Sequence, residues 1–233
     1  MNDTIIDIKS LHKTYYTEGH GLEVLKGIDL SIHRGEIASI VGESGSGKST
    51  LLNLIGGLDR PTSGSILMNE KNIDTMSEDE LSLFRNRHVG FIFQFHHLLP
   101  DFTALENIML PYLVNRFNKK DAREKAMSLL KQINLEARAD HRPNQLSGGE
   151  QQRIAIARGL INDPDIIFAD EPTGNLDEKT SNEIQSLLWD LREKHNLTIL
   201  LVTHNLTIAN QADRIVRLAY GRVDEISSSK SRG

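Results

Sequence analysis

The nine residues Gly42-Glu43-Ser44-Gly45-Ser46-Gly47-Lys48-Ser49-Thr50 constrain this chain more than any other stretch. They follow Ile37-Ala38-Ser39-Ile40-Val41, a short apolar run that reads as a strand buried on both faces, the habit of parallel sheets. They lead into a helical pattern over Lys48 to Leu58. The spacing matches G-x-x-x-x-G-K-[ST], the phosphate-binding P-loop. Gly42, Gly45 and Gly47 let the backbone curl so that successive N–H groups, that of Ser44 among them, point at an anion, and the following helix adds its positive end. In such a loop Lys48 reaches the β- and γ-phosphates, Ser49 binds Mg²⁺ and Thr50 donates to the α-phosphate.

Two further apolar runs, Ile166 to Ala169 and Leu197 to Val202, have the same fully buried character, and helical patterns follow over Thr180 to Lys194 and Leu206 to Gln211. Strands alternating with helices predict an α/β sheet with crossover helices. The middle differs: Ala104 to Val114, Lys119 to Ile133 and Gly149 to Ile161 read as helices without strands between them. This predicts an α-helical subdomain over 95–159, inserted in an α/β core formed by 1–94 and 160–226, with all of 1–226 one domain. Alternating runs at Ile5 to Ile8 and Leu25 to Ile32 predict a small N-terminal antiparallel sheet, and the polar tail 227–233 reads as disordered.

A net charge of −5 gives no electrostatic footprint for nucleic acid. The absence of cysteine excludes disulfides and thiolate metal sites. No run approaches the roughly 20 apolar residues that cross a bilayer, and MNDTIIDIKS lacks the basic and apolar regions of a signal peptide. Service to a membrane is therefore by docking, with no direct insertion.

Ligands of open α/β sheets bind beyond the carboxyl ends of the strands. The second strand ends in Asp170-Glu171, where one carboxylate can hold the Mg²⁺ shell and its neighbour can act as general base on water. The same residues, with Pro172, Gly174, Asn175 and Asp177, also suit an ordinary acidic turn. The third ends in Thr203-His204, and His204 there can contact a γ-phosphate and orient the water.

Leu146-Ser147-Gly148-Gly149-Glu150-Gln151-Gln152-Arg153 narrows the family. Ser147 with Glu150 three residues on is a capping box, and the two glycines leave a bare helix N-terminus for close approach by an anion. With these motifs, the chain from about Ile5 to Glu225 resembles the ABC ATPases, whose signature is LSGGQ or LSGGE. The resemblance implies a P-loop NTPase (RecA-like) core with an N-terminal antiparallel β-subdomain and an inserted α-helical subdomain. It implies that Tyr15 stacks on adenine, with Tyr16 beside it as the alternative. It makes Gln94 a contact to Mg²⁺ and the attacking water that relays nucleotide state, and Lys48, Glu171 and His204 catalytic. Ser147 and Gly149 would bind the γ-phosphate of the other subunit's ATP, and Asp177 would lie in the loop crossing a homodimer.

Phe95 to Asn107, where coupling helices of integral membrane subunits dock in this family, reads locally as a loop and a helix start with Thr103 and Glu106 as a capping box. Its wording, with Gly56-Gly57-Leu58-Asp59 and Glu171 to Asp177, resembles the ATP-binding subunits of bacterial lipoprotein-releasing transporters, peripheral on the cytoplasmic face of the inner membrane. Macrolide-exporter and cell-division cassettes share much of this, the former fused to membrane helices that this chain lacks. A soluble ABC ATPase of DNA repair would carry a long coiled coil between P-loop and signature. Here that interval is about 100 residues without sustained heptads.

Overall fold

The computed structural model describes residues 3–17, 20–115 and 118–228. Their contacts form two compact units: the described residues up to Ser82 together with those from Thr198 on, and Leu83–Leu197.

The first unit is built on β3 (Ile37–Val41), whose five residues are all buried. Such a strand needs neighbours on both edges and cover on both faces. β8 (Thr198–Val202), likewise wholly buried, pairs with it in parallel from Ile37↔Ile199 to Ile40↔Val202. β9 (Arg214–Ala219) pairs in parallel on the other edge, from Ala38↔Arg214 to Val41↔Arg217. The polar Ser39 in the middle is fully buried, and its hydroxyl donates to the carbonyls of Ala209 at 3.3 Å and Arg214 at 3.4 Å. β10 (Arg222–Ser228) returns antiparallel beside β9 through the two-residue turn Tyr220-Gly221, where both φ angles are positive. This is the backbone that matches the twist of a tight hairpin.

A second, antiparallel sheet carries β1 (Thr4–Thr17), β2 (His20–His33), β4 (Ser63–Met68) and β5 (Lys71–Asn72) in the order β2-β1-β4-β5. Its buried side is apolar: Ile6, Ile8, Leu11, Leu25, Ile28, Ile32 and Ile66 are all at most 1% exposed. Helix α1 (Lys48–Ile55) starts inside the P-loop, buries Leu51, Leu52, Leu54 and Ile55, and stops at Gly56, short of Leu58, because Gly57 turns left-handed at φ 63°. Helix α7 (Leu206–Ala209) is only four residues, capped by Asn205.

Helix α2 (Glu78–His88) begins in the first unit and ends in the second. There β6 (Val89–Phe93) and β7 (Ile166–Asp170) pair in parallel, Val89↔Ile166 to Phe93↔Asp170. Four helices complete the unit: α3 (Ala104–Asn115), α4 (Lys119–Gln132), α5 (Gly148–Leu160) and α6 (Glu178–His195). α3, α4 and α5 pack on one another through Ile108, Ala126, Leu130, Ile154 and Ala157, none of them accessible to solvent. Asp177 caps α6 by accepting from Thr180 N–H at 3.0 Å, and Asn196 closes it left-handed at φ 50°. Among the described residues no helix is long and apolar enough to cross a membrane.

The elements show the α/β class with antiparallel N-terminal strands and a cluster of helices, as the sequence predicts. α2, β4, β5, β9 and β10 are not part of the sequence reading. β10 takes in Ser227 and Ser228, opposite Ile215 and Arg214, so these two are strand rather than tail, and 229–233 lie outside the described residues.

Asn118 caps α4, its side chain accepting from Lys120 and Asp121 N–H at 3.1 and 3.3 Å. Asn118→Ala is expected to cost about 1 kcal/mol in urea unfolding, with Asn118→Asp near wild type and ATP turnover unchanged in both.

Candidate functional site

In the first unit the P-loop leaves β3 at Gly42. A Cβ there would stand 2.2 Å from the Leu218 carbonyl of β9, so only glycine allows the approach. Gly47, the cap of α1, has φ 101° and packs against Leu25 of β2, 2.8 Å from an added Cβ. Between these two fixed points Glu43, Ser44 and Gly45 are exposed. Lys48 folds back onto the loop, and its ammonium donates to the carbonyls of Gly42 at 2.9 Å and Glu43 at 2.8 Å. A cation satisfied only by carbonyl dipoles is a site for an anion. Ser46 Oγ is buried with no hydrogen-bond partner among the described residues. Ser49 is exposed on the first turn of α1, and Thr50 is half-buried beside it.

The same unit brings His204 to the loop. Thr203 N–H donates to the Ile40 carbonyl at 3.2 Å, which carries the end of β8 alongside the end of β3. His204, exposed, shares with Gly42 to Ser46 a cavity of about 740 Å³ whose far wall is the β9–β10 hairpin.

Tyr15 is tied in from β1. Its hydroxyl donates to Asp59 at 2.9 Å and has Thr50 of α1 as a further side-chain partner. Burial, then the hydrogen bond and charge of Asp59, hold its pKa above the ordinary value. Lys13 lies 4.7 Å from the ring centroid and pairs with the same Asp59 at 2.8 Å. Burial pushes the Asp59 carboxyl up, but hydrogen bonds from Lys13, the Arg60 N–H and Tyr15 outweigh it, and the pKa falls below its usual range. Tyr16 has no such ties and is 76% exposed against 39% for Tyr15. The geometry separates two tyrosines that the sequence leaves as alternatives.

In the second unit the register Phe93↔Asp170 sets the ends of β6 and β7 side by side, so Gln94 and Glu171 leave adjacent strands at one level. Gln94 donates from Nε2 to Asn175 Oδ1 at 3.0 Å, and Asn175 Nδ2 donates to the Gln94 carbonyl at 3.3 Å. Gly174 makes room for this pair: an added Cβ would be 2.8 Å from Gln94 Nε2. Asp170 ends β7 half-buried, and Glu171 is left-handed at φ 48°. A glutamate in that conformation stores strain, a feature that collects at functional sites. Its carbonyl accepts from Gly174 N–H at 3.0 Å, closing the turn that presents the side chain. Among the described residues, no group of three or more His, Asp and Glu side chains is placed to hold a metal alone.

The α5 N-terminus is also in this unit. Ser147 accepts from Glu150 N–H at 3.3 Å, and Glu150 accepts from Ser147 N–H at 2.8 Å, the capping box read from sequence. The Glu150 pKa is lowered, first by the Ser147 N–H and then, against the opposing effect of burial, by Arg138. Ser147 to Glu150 open on a cavity of about 360 Å³ bounded by Asn175, Leu176 and Asp177 and by the start of α6. Gly149 faces Thr180, whose methyl would stand 2.6 Å from an added Cβ. The signature turn and the loop after Glu171 are therefore walls of one pocket, which the sequence does not reveal.

Asp59 and Asn175 stand in motif runs that the sequence singles out, but their partners do not show there. Each is a polar loop residue until its partner, Tyr15 or Gln94, is seen in place.

Residues 25–174 match the family model described as ABC transporter. The chain is 51% identical over 217 residues to the lipoprotein-releasing system ATP-binding protein LolD of Cytophaga hutchinsonii, covering 93% of this chain and 97% of that protein. It is 49% identical over 221 residues to the protein of the same name from Legionella pneumophila strain Lens, covering 95% and 97%. Among solved structures it resembles the dimeric ATP-binding cassette MJ0796 in a post-hydrolysis state bound to ADP and Pi. That match has a TM-score of 0.88 and 42% identity, and covers 98% of this chain and 99% of the other.

Tyr15→Ala is expected to weaken ATP binding, measured with a fluorescent analogue, by the ~1–3 kcal/mol typical of base–aromatic stacking, or about 5- to 150-fold. Tyr16→Ala is expected to stay within about twofold, because an exposed side chain without partners leaves the site unchanged.

Proposed function

The chain belongs to the ABC transporter family, and on that footing we propose that it powers lipoprotein release from the inner membrane. In this reading it works as a homodimer docked to integral membrane subunits on the cytoplasmic face. It is an ATP-binding, ATP-hydrolysing cassette. The cargo assignment is supported by relatives about half identical over nearly the full length, all named for the lipoprotein-releasing system.

The observation that carries the chemistry is the P-loop with its lysine turned inward. On binding ATP, Lys48 exchanges the carbonyls of Gly42 and Glu43 for phosphate oxygens, a stronger charge-assisted contact. The N–H groups of the loop and the start of α1 hold the remaining phosphate charge. Tyr15 takes the adenine on the ring face away from Lys13.

By the chemistry of their donors, the Ser49 hydroxyl, the Gln94 amide and the Asp170 carboxylate, the last through water, would hold Mg²⁺, since each offers a hard oxygen. That ion keeps phosphate oxygens and waters in its shell and does not demand an all-protein cage. When bound it would supply positive charge to offset that of the phosphates.

Glu171, aimed by its left-handed turn, takes a proton from the attacking water, and His204 orients that water and the γ-phosphate. Gln94, held by Asn175, reports the nucleotide state to the loop that follows it. One subunit leaves one side of the γ-phosphate open. Ser147 and Gly149 of the partner subunit, at a bare helix N-terminus, close it and stabilise the transferring group. ATP thus joins the dimer and hydrolysis releases it. Asp177, whose pKa is lowered by the Thr180 hydroxyl and N–H it accepts from, stays ionised in the loop that crosses the interface.

Membrane subunits seat on the loop after Gln94. Phe95, Leu99 and Phe102 are exposed there at 66, 44 and 38%, apolar side chains on a loop that a soluble partnerless surface would not favour.

Glu171→Gln is expected to bind ATP, to lose turnover by about 10²-fold or more and to elute as a dimer in ATP but not in ADP. Lys48→Ala should neither bind tightly nor dimerise. Normal phosphate release by Glu171→Gln would remove that residue from its role. Phe95→Asp is expected to keep the ATPase rate of the isolated chain within about twofold. It should lose co-purification from detergent extract with the membrane subunits.

A further inference from the structure

The loop 95–103 is held from two sides by polar side chains. From α3, the fully buried Asn107 accepts from Leu99 N–H at 2.8 Å and donates to the carbonyls of Leu99, Phe102 and Thr103 at 3.0 to 3.1 Å. From α5, the half-buried Arg158 donates through its two terminal nitrogens to the carbonyls of His96 at 2.8 Å and His97 at 2.7 Å. Arg158 has no ion-pair partner among the described residues, so its charge is met by that pair of carbonyls. His97 is left-handed at φ 47°, a conformation that histidine tolerates at a cost, and the carbonyl it presents is one that Arg158 holds. One helix back, the fully buried Gln152 donates to the Phe93 carbonyl at 3.3 Å. The ties from Gln152 and Arg158 therefore bracket Gln94 and the start of the loop.

These ties run to the helix whose other end is the signature turn. Gly149 and Arg158 are nine positions apart on α5, about 14 Å along a rigid element. We infer that Arg158 is a positioning residue: it locks the docking loop to the signature helix, so that a membrane subunit seated on the loop sets where Ser147 and Gly149 stand. It touches neither nucleotide nor water. Its part is to pass docking on to the half of the site that the partner subunit's ATP uses. The inference rests on the docking role proposed for residues 95–107.

Two donors in a planar fork meet two successive carbonyls, a geometry lysine cannot reproduce. The test uses the full transporter, this chain with its membrane subunits in lipid nanodiscs, and the isolated chain beside it. Wild type, Arg158→Lys and Arg158→Ala are compared for isolated ATPase rate, KM for ATP, rate in the complex and thermal melting. Both variants are expected to keep the isolated rate and KM within about twofold. Stimulation by the membrane subunits should fall about fivefold or more in Arg158→Ala, and less in Arg158→Lys. Arg158→Lys, which keeps the cation, carries the test if Arg158→Ala melts early. Unchanged stimulation in the folded variants would overturn the inference, as would an isolated rate falling in step with the stimulated one. A wild-type chain that neither co-purifies with the membrane subunits nor responds to them would overturn the docking reading, and the inference with it.

Discussion

Backbone N–H groups close on a phosphate only if the chain curls with no side chain in the way and something rigid holds the curl. Here the rigid part is β3, buried end to end and paired in parallel with β8 and β9. The curl is fixed at both ends by glycine. Gly42 admits the Leu218 carbonyl of β9, and Gly47 admits Leu25 of β2. Three elements from distant parts of the sequence thus converge on two missing side chains. A methyl group at either point would push β9 or β2 away and open the loop. Lys48, curled onto the carbonyls of Gly42 and Glu43, keeps the loop internally satisfied until phosphate replaces them. The end of β8 brings His204 to the loop and β1 carries Tyr15 to Thr50 behind it, so the site depends on the sheets being complete before any ligand arrives.

Left-handed residues fall into a few settings: Ser10, at φ 45°, lies at a bulge of β1, where the register with β2 shifts between Ile8 and Leu11. Asn134, Asp163 and Asn196 follow helix ends, and Asn69-Glu70 and Tyr220-Gly221 are hairpin turns, where such φ angles close the chain in a standard way. Glu171 and His97 have no such excuse. One follows the end of β7 and carries a carboxylate, and the other lies in the loop after β6. Strain that no cap, hairpin or bulge explains marks, in this fold, the proposed base and the proposed docking loop.

The sequence made the chemistry legible because each motif is local. The glycine spacing of the P-loop, the capping box at Ser147 and Glu150, and the carboxylates at the end of Ile166 to Ala169 all lie within nine consecutive residues or fewer. The buried strands were readable from their unbroken apolar runs. β9 was not, because Arg-Ile-Val-Arg-Leu-Ala carries two arginines, and only the structure shows Arg214 paired with Glu36 at 2.6 Å. α2 escaped for a related reason: of its eleven residues only Leu81 and Phe84 are buried, too few to show a helical period. Its charged ends complement the helix dipole, acidic at the start and basic in the last turn, but that pattern is weak beside a polar stretch. The ties of Asp59, Asn107 and Arg158 could not be read from sequence, since each runs to a backbone or side chain that folding brings to it.

Why polar groups rather than apolar packing hold the loop 95–103 follows from what the loop must do. An exposed loop with Phe95, Leu99 and Phe102 turned to solvent has few apolar atoms left to bury beneath it. Its backbone carbonyls, facing the protein, must then find donors or be left unsatisfied at a cost of about 1–3 kcal/mol each. Asn107, Gln152 and Arg158 supply those donors from helices whose other faces are fixed in the core. Hydrogen bonds are directional where apolar contacts are not, so the arrangement fixes the loop's shape as well as its place. A displacement imposed on such a loop is less readily absorbed by sliding. It is passed to the helix that holds the donors, and for two of the three that helix is α5, which begins at the signature turn.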